Sequence, residues 1–263
     1  MAMSTPLADP LVRAEEPLAR HLPLRCGGAI EAWAEAWDED ELLALVKRAR
    51  AERWTIRPIP AFHDAMPPEN GLVGLGLRLC GELEAVTAND DGTLTVGAGA
   101  VLAPLGTRPG FEALLRAPGT LLDAWEEGWI QPALVNIRRL RGRGFEDLAV
   151  SATEGGADGK SLLVRATLRP GRKLTSPTAG QAYHELKRKG PTLRDVLRKS
   201  RLAGLRVHGA TLGEADPAVL ANRDDATPRQ LRSLLGAVQE RIHSGTGILL
   251  DERLGPVGRG GRL

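Results

Sequence analysis

The fold of this chain is constrained above all by short segments within residues 30–168 whose side chains alternate as in β-strands. Residues 30–36 show the two-residue period of a strand with one buried face, at Ile30, Ala32, Ala34 and Ala36. Further strands are predicted at residues 55–59, 71–79, 133–140 and 161–168, and a hairpin is predicted at residues 85–105, with Asp91 and Gly92 in its turn. Residues 106–132 are punctuated by proline and glycine and give no clear assignment. This part of the chain is therefore expected to be rich in β-sheet.

Three segments have the periodicity of helices instead. The first begins after Asp38, which has a glutamate at capping-box spacing, and the second covers residues 191–202. The third covers residues 227–247, with Thr227 as N-cap, a proline in its first position and a glutamine that completes a capping box. The apolar faces predict the buried residues Leu42, Leu45, Val46, Ala49, Leu193, Val196, Leu197, Leu231, Leu234, Leu235, Val238 and Ile242.

Composition argues against several classes of protein. The net charge of +2 and a hydrophobic content of 42% are those of an ordinary globular protein, so no nucleic-acid partner is expected. No stretch approaches the roughly 20 apolar residues of a membrane span, and charged residues near the N-terminus exclude a typical signal peptide. Cys26 and Cys80 make neither a disulfide framework nor a metal cluster, and the five histidines show no metal-binding spacing. We expect a cytoplasmic protein without a metal site.

Several motifs occur in a consistent order that points to one family. Residues 25–28 read R-C-G-G, residues 96–99 read V-G-A-G, and residues 118–120 read P-G-T. Residues 176–183 resemble an S-A-G-S-x-F run, and residues 204–231 resemble, without a gap, G-L-R-x-G-G-A-x-V-S-x-x-H-A-N-F-I-V-N-x-x-x-A-T. Over residues 18–258 the chain thus resembles the UDP-N-acetylenolpyruvoylglucosamine reductase (MurB) family of cell-wall synthesis.

This resemblance implies an α+β fold with two FAD-binding subdomains of the vanillyl-alcohol-oxidase/MurB type and a C-terminal α+β domain of the substrate-binding type. The predicted parts are an irregular segment at 1–17, subdomains at 18–82 and 83–170, the C-terminal domain at 171–258 and a tail at 259–263. Active members of the family pass hydride from NADPH through FAD to the enolpyruvyl ether. A serine protonates the neighbouring carbon, while an arginine and a glutamate stabilise the intermediate.

The positions that should hold FAD depart from the family pattern. The glycine-rich phosphate loop falls on residues 60–64, where Pro60 has no N–H to donate, Phe62 adds bulk and Asp64 adds negative charge. In the second flavin loop, the glycine pair is replaced by Leu122 and Asp123. No cofactor is therefore expected. If FAD is retained, the resemblance assigns its contacts to Gly97, Gly99, Gly119 and Thr120.

The catalytic positions depart from the pattern as well. Gln181 stands where the family has its proton-donating serine, and a carboxamide has no proton to surrender near neutral pH. Residues 146–156 contain no arginine to match the catalytic one. Glu252 matches the catalytic glutamate only if the alignment slips by one residue. No catalytic residue is therefore predicted.

Two further groups of residues leave alternatives open. Phe62, Trp125 and Trp129 are expected to fill the vacated cofactor cavity, and the alternative is that the tryptophans form an exposed patch for a partner. A basic stretch is either the solvated face of a helix or an anion-binding or partner surface; its residues are Lys187, Arg188, Lys189, Arg194, Arg198 and Arg201.

The sequence favours a pseudoenzyme of peptidoglycan-precursor metabolism that has lost FAD and binds a protein partner or a UDP-sugar precursor. The alternative is an active, FAD-dependent UDP-N-acetylenolpyruvoylglucosamine reductase that uses NADPH. A third hypothesis, a flavin-free enzyme with new chemistry, has only the adjacent pair His63 and Asp64 in its favour.

Overall fold

The computed structural model describes residues 10–59, 65–150, 160–174, 181–183, 186, 192–252 and 254. Its strands are β1 (Val12–Pro17), β2 (Ala29–Ala36), β3 (Ile56–Pro58), β4 (Leu72–Leu79), β5 (Val86–Ala88), β6 (Leu94–Gly97), β7 (Leu134–Arg141), β8 (Gly144–Ala149), β9 (Ser161–Leu168), β10 (Arg206–Val207), β11 (Ala210–Leu212) and β12 (Leu220–Asn222). Its α-helices are α1 (Glu39–Ala51), α2 (Leu121–Glu126), α3 (Leu193–Lys199) and α4 (Pro228–Thr246).

The first sheet has the order β1-β2-β4-β3 and carries α1 on one face. β2 and β3 each pair in parallel with β4, while β1 pairs antiparallel with β2. The predicted start of α1 is confirmed, because the Asp38 carboxylate accepts a hydrogen bond from the Glu41 backbone N–H at 2.8 Å. The predicted apolar face of α1 is buried throughout.

The irregular N-terminal segment predicted at residues 1–17 is wrong for its second part, because Val12–Pro17 forms β1. This strand lies at the edge of the sheet and exposes Arg13, Ala14 and Glu15 to solvent. An edge strand does not need an alternating apolar pattern, and charged residues on it are usual because they discourage pairing with another chain. The local pattern therefore gave no sign of the strand.

The second sheet is entirely antiparallel, with the order β5-β6-β9-β7-β8. The predicted hairpin is confirmed. Its turn is held by a hydrogen bond of 3.0 Å from the Thr93 N–H to the Asp91 carboxylate, and Gly92 adopts a φ of +79°. β8 was not predicted; it is a mostly exposed edge strand that hydrogen-bonds only to β7 in this sheet. Residues 106–132, which the sequence left unassigned, contain short 3-10 turns and α2.

The C-terminal part packs α3 and α4 around the small sheet β10-β11-β12. Both predicted helices are confirmed, with capping boxes at Thr192 and Thr227 and with their predicted apolar faces buried. Within the described part of the chain, no helix is long and apolar enough to span a membrane.

The buried apolar residues form three clusters. The largest runs from β2 through both N-terminal sheets to β9, so the two N-terminal subdomains share one core. A second cluster fills the C-terminal part and also takes in Leu24, Cys26 and Met66 from the N-terminal part. A small third cluster lies on the other face of the first sheet, around Ile30 and Trp33. The predicted domain boundaries stay predictions.

Candidate functional site

The turn after β6 brings the two glycines of the V-G-A-G motif against the neighbouring backbone. A Cβ atom at Gly97 would lie 2.3 Å from the Leu83 carbonyl oxygen, and one at Gly99 would lie 2.3 Å from the Leu79 carbonyl oxygen. The Gly99 N–H donates to Leu83 O at 2.9 Å. Close packing of this turn on its own protein scaffold is therefore sufficient to require glycine at both positions.

The loop at residues 119–124 lies beside this turn and hydrogen-bonds to it. The Leu121 N–H donates to Ala100 O at 3.0 Å, and the Leu122 N–H donates to Ala98 O at 2.9 Å. The Thr120 N–H donates to the Asp123 carboxylate at 2.7 Å. Three consecutive backbone donors of the second flavin loop are thus bonded to acceptors of the chain itself.

Asp123 is the residue that organises this loop. Its side chain is buried, and with Thr120 it forms a capping box at the start of α2. The Thr120 hydroxyl also donates to the Asp123 carboxylate, at 3.0 Å. Gly119, with a φ of +64°, places its Cα so close that a Cβ there would be 2.2 Å from the same carboxylate oxygen. The spacing T-x-x-D is a capping signal that the sequence contained and that our sequence analysis missed.

The two tryptophans next to this loop differ in burial. Trp125, on α2, is 1% exposed and belongs to the largest core cluster. Trp129 is only partly buried against that core, and its indole N–H donates to the Glu127 carboxylate at 3.2 Å. The structure thus places Trp125 inside the core and Trp129 at its margin, and the filling of a vacated cofactor cavity stays a prediction. Phe62, together with the rest of residues 60–64, falls outside the described residues.

Gln181 and Glu252 come together at a short extended segment of the C-terminal part. Gln181 is 3% exposed and forms a β-bridge with Val219, and its side-chain amide donates to Tyr183 O at 2.8 Å. Tyr183 in turn forms a β-bridge with Glu252. The structure therefore brings the serine position and the glutamate position to one place, although residues 146–150 and 181–183 add no arginine there.

The Glu252 carboxyl has a pKa above the ordinary value of a glutamate. Much of the residue is exposed, yet desolvation by the surrounding protein raises the pKa of the carboxyl, and Arg232 partly opposes this increase. Tyr183, beside it, is buried and donates its hydroxyl hydrogen to Leu235 O at 2.7 Å. A carboxyl at this place can retain its proton to a higher pH than a free glutamate.

Two arginines of the predicted basic surface, Arg194 and Arg198, make hydrogen bonds within the chain. The Arg194 guanidinium donates to the Asp216 carboxylate at 2.8 Å, and Arg198 donates to Ala215 O at 2.9 Å. Arg201 is exposed and has a φ of +53° after the end of α3. Both Arg194 and Arg198 thus hold the loop before β12. Lys187, Arg188 and Lys189 fall outside the described residues.

Comparison with known proteins tests the resemblance that the motifs suggested. No family model matches the sequence. The UDP-N-acetylenolpyruvoylglucosamine reductase of Desulfosudis oleivorans is 25% identical, over 94% of this chain and 95% of its own length. The chain is thus similar to this reductase over almost its whole length. The reductase 2 of Symbiobacterium thermophilum is also 25% identical, over 91% of this chain and 90% of its own length. The Myxococcus xanthus reductase is 36% identical, but over only 42% of this chain and 38% of its own length.

The fold agrees with the relationship to the reductases. The crystal structure of MurB from Thermus caldophilus superposes with a TM-score of 0.72, over 94% of this chain and all of that chain, at 19% sequence identity. The expected α+β fold of the MurB type is therefore confirmed. The similarity in sequence to the reductases thus extends over almost the whole chain, and the solved structure shows that the fold is of the same type.

Proposed function

We propose that this chain is a non-catalytic relative of the MurB reductases that has lost FAD and acts in peptidoglycan-precursor metabolism by binding. The observation that carries the proposal is the loop at residues 119–124, in which the backbone donors of Thr120, Leu121 and Leu122 are bonded within the chain. In relatives that bind FAD, this loop has glycines at positions 122 and 123 and must leave donors free for the cofactor.

The described residues are a poor match for a flavin pyrophosphate. The carboxylate of Asp123 accepts both the N–H and the O–H of Thr120, so a phosphate at this place would meet a negative charge instead of free donors. Each charge-assisted hydrogen bond that is lost costs roughly 1.5–3 kcal/mol, and the loss of two or three weakens binding by several orders of magnitude. Gly97, Gly99 and Gly119 remain, but their own packing accounts for them.

The proton-donor position supports the same proposal. A serine hydroxyl can protonate a carbanion-like carbon, whereas a neutral carboxamide is far too weak an acid near neutral pH. The Gln181 amide is buried and donates to Tyr183 O, which makes it a structural group of the C-terminal part. The neighbouring Glu252 does not by itself restore the reaction, because the hydride donor would still be missing.

The proposed ligand is a protein partner or a UDP-sugar precursor, in the cytoplasm. The precursor is favoured by the family, since the names of the relatives refer to an enolpyruvoylglucosamine nucleotide. In the described ranges, the C-terminal part, which the resemblance assigns to the substrate, contains the sheet β10-β11-β12 and the helices α3 and α4 around a buried apolar core. Binding can therefore persist where the chemistry has been lost.

The alternative proposal is an active, FAD-dependent reductase that uses NADPH. It is favoured by the relatives named reductase that match more than nine-tenths of the chain, and by the retention of Gly97, Gly99, Gly119 and Thr120. The β-bridge between Tyr183 and Glu252 also supports this alternative, because it places Glu252 beside the segment that contains residue 181.

The first experiment is the visible absorbance of the purified protein, followed by calorimetric titration with FAD. The reductase of Desulfosudis oleivorans, purified in parallel, serves as the control. We expect a colourless protein, no heat of FAD binding, and no NADPH-dependent reduction of the enolpyruvoyl sugar nucleotide. A bound flavin spectrum or measurable turnover would reject the non-catalytic proposal in favour of the reductase.

A separate titration with UDP-N-acetylglucosamine and its enolpyruvoyl ether tests the ligand. Binding of either nucleotide without FAD supports a precursor-binding role. If neither nucleotide binds while the protein remains folded, the precursor is excluded and the partner is a protein.

A further inference from the structure

A buried pair of ionisable side chains, Glu16 and His21, lies on the first sheet beside the small apolar cluster around Ile30 and Trp33. The His21 Nε2 atom is 3.0 Å from the Glu16 carboxylate, and the two side chains are only 8% and 7% exposed. A carboxylate can only accept a hydrogen bond, so Nε2 carries the hydrogen that is shared with Glu16. The Nδ1 atom of His21 therefore remains free to take up a proton.

The imidazole of His21 is held in a fixed place by aromatic stacking. It stacks on Trp33 of β2, with ring centroids 3.7 Å apart and an angle of 16° between the planes. The guanidinium of Arg78, on β4, lies over the Trp33 ring at 5.1 Å from its centroid and donates to His21 O at 3.3 Å. Among the described residues, the buried Nε of Arg78 finds no hydrogen-bond acceptor, so the cation in this pocket is incompletely satisfied by that part of the chain.

His21 belongs to a connecting segment, residues 18–28, that joins two apolar cores. Leu18 and Leu22 pack in the cluster around Ile30 and Trp33, whereas Leu24 and Cys26 pack in the C-terminal core. The Asn222 side chain, at the end of β12, donates to Leu24 O at 2.8 Å. The segment thus ties the first sheet to the C-terminal part, and His21 lies within its attachment to the first sheet, between Leu18 and Leu22.

The charges around His21 come from every element packed against it. β1 supplies Glu16 and Arg13, the turn that follows supplies Arg20, β2 supplies Glu35, and β4 supplies Arg78. Arg13 pairs with Glu35 at 3.0 Å, and Arg20 lies 3.5 Å from Glu16, so Glu16 is shared between two basic residues. Cys80 and Glu84 lie near Arg78. A positive charge on His21 would therefore be added to those of Arg13, Arg20 and Arg78. The Glu16 carboxylate, which could compensate it, already interacts with Arg20.

We propose that His21 is a proton-responsive lock: its neutral form holds the connecting segment on the first sheet, and its protonation releases that segment together with its contact to the C-terminal core. The mechanism is electrostatic. Protonation at Nδ1 makes an imidazolium that is buried beside Arg78, while the hydrogen bond to Glu16 is already present in the neutral form.

The pKa values of His21 and Glu16 agree with a release of the segment as the pH falls. Burial lowers the pKa of His21 below its ordinary value of 6.5, with Arg78 and Arg13 acting in the same direction and the hydrogen bond to Glu16 opposing them. The released segment therefore binds the proton more tightly than the locked one. The lock is complete above pH 6.5, and the opening equilibrium constant rises by up to about tenfold per pH unit as the pH falls from 6.5 towards the lowered pKa. Burial raises the pKa of Glu16, but His21 and Arg13 outweigh burial and leave that pKa below 4.5, so Glu16 does not titrate in this range.

The titration of His21 can be followed by the tryptophan fluorescence of the full chain between pH 8 and pH 5. Release separates the stacked imidazole from Trp33, which is buried in the locked form, and exposes the indole to water, so we expect a loss of the emission of the buried indole with a midpoint below 6.5. The loss should vanish in Trp33→Phe and in His21→Gln, and it should persist in His243→Gln, which removes an exposed histidine of α4. Should His21→Gln fail to fold, Glu16→Gln tests the same pair and should move the midpoint to lower pH.

Release of the segment is measured by hydrogen exchange of residues 18–28 and 220–226, corrected for the intrinsic effect of pH on amide exchange. Protection should fall together with the fluorescence in the wild type, and it should be independent of pH in His21→Gln. No fluorescence change above pH 5 in the wild type, or an unchanged transition in His21→Gln, would overturn the proposal. It would likewise fail if His21 titrates while the protection of both segments stays constant.

Discussion

At the scale of single residues, Asp123 and Asp195 provide a matched pair of helix caps. Asp123 accepts from the Thr120 N–H and O–H, and Asp195 accepts from the Thr192 N–H and O–H in the same pattern. The first pair is buried in the second flavin loop, whereas the second pair is exposed to water. A comparison of the two caps therefore isolates the contribution of burial to the free energy of unfolding.

We predict that Asp123→Ala lowers the free energy of unfolding by about 2–3 kcal/mol, because it removes a cap and leaves two buried donors without an acceptor. Asp195→Ala should cost clearly less, because water replaces the exposed carboxylate. Urea unfolding of both variants measures the difference. Equal losses would mean that Asp123 is not required to close the loop, and that one of the arguments against a flavin at this place is lost.

The two cysteines should be unreactive in the folded protein. Burial raises the pKa of the Cys26 thiol and that of the Cys80 thiol to about 11, from an ordinary 9.0. At pH 8 the thiolate fraction then falls from about a tenth to about a thousandth, and only the thiolate attacks a disulfide reagent. We expect slow labelling by a chromogenic aromatic disulfide in buffer and fast labelling in urea. Fast labelling of either thiol in buffer would show that its side chain is more accessible than the structure indicates.

At the scale of elements, Arg138 joins α1 to the β7–β8 hairpin. Its guanidinium makes two hydrogen bonds to Glu39, at 2.7 and 2.8 Å, and a further one to Asp147 at 2.5 Å. The hydrogen bonds to Glu39 raise the pKa of the guanidinium further above its already high ordinary value. Arg138 also stacks over Phe145, at 5.0 Å from the ring centroid. One side chain thus connects the helix of the first subdomain to the sheet of the second.

We predict that Arg138→Met costs about 2–3 kcal/mol in unfolding free energy, because a two-pronged pair that is largely shielded from water is broken. Arg13→Met is the control, since the single-pronged pair with Glu35 is more exposed and should be worth less than about 1 kcal/mol. A double-mutant cycle with Glu39→Gln measures the coupling. A coupling energy near zero would show that the two subdomains are held together by their shared apolar core alone.

At the scale of the whole molecule, Asn222 connects regions that are far apart in sequence. Its amide N–H groups donate to Leu24 O at 2.8 Å and to Ala226 O at 3.0 Å, and its oxygen accepts from the Ala226 N–H at 2.8 Å. The first contact spans 198 positions of the chain. Asn222 is therefore a direct polar link between the connecting segment and the C-terminal part.

We predict that Asn222→Ala increases amide exchange in residues 18–28 at least several-fold at pH 7.5, because the Leu24 carbonyl and the Ala226 N–H lose their partners. Asn89→Ala is the matched control, because the Asn89 amide bonds only within the β5–β6 hairpin, to Thr93 and Thr95. Its effect should stay in that hairpin. Unchanged exchange at residues 18–28 in Asn222→Ala would show that apolar packing alone holds the segment in place.

The elements that the sequence predicted correctly are those whose signals are local. β2, α1 and α4 were predicted from alternation, apolar stripes and capping residues, each of which acts within a few positions of the chain. β1 and β8 were missed for the opposite reason. Both are mostly exposed edge strands, so their residues need no buried face, and only the partner strand on the other side fixes their conformation.

For the candidate site, the sequence by itself determined which chemical groups are present. It contains Gln181 where the resemblance predicts a serine, and Leu122 and Asp123 where the resemblance predicts two glycines. Only the tertiary structure decided what these groups contact: Asp123 closes its own loop, Gln181 bonds to Tyr183 O, and His21 stacks on Trp33. Such contacts join residues through packing and hydrogen bonds that no short stretch of sequence can specify, because every buried donor must find its acceptor in the finished fold.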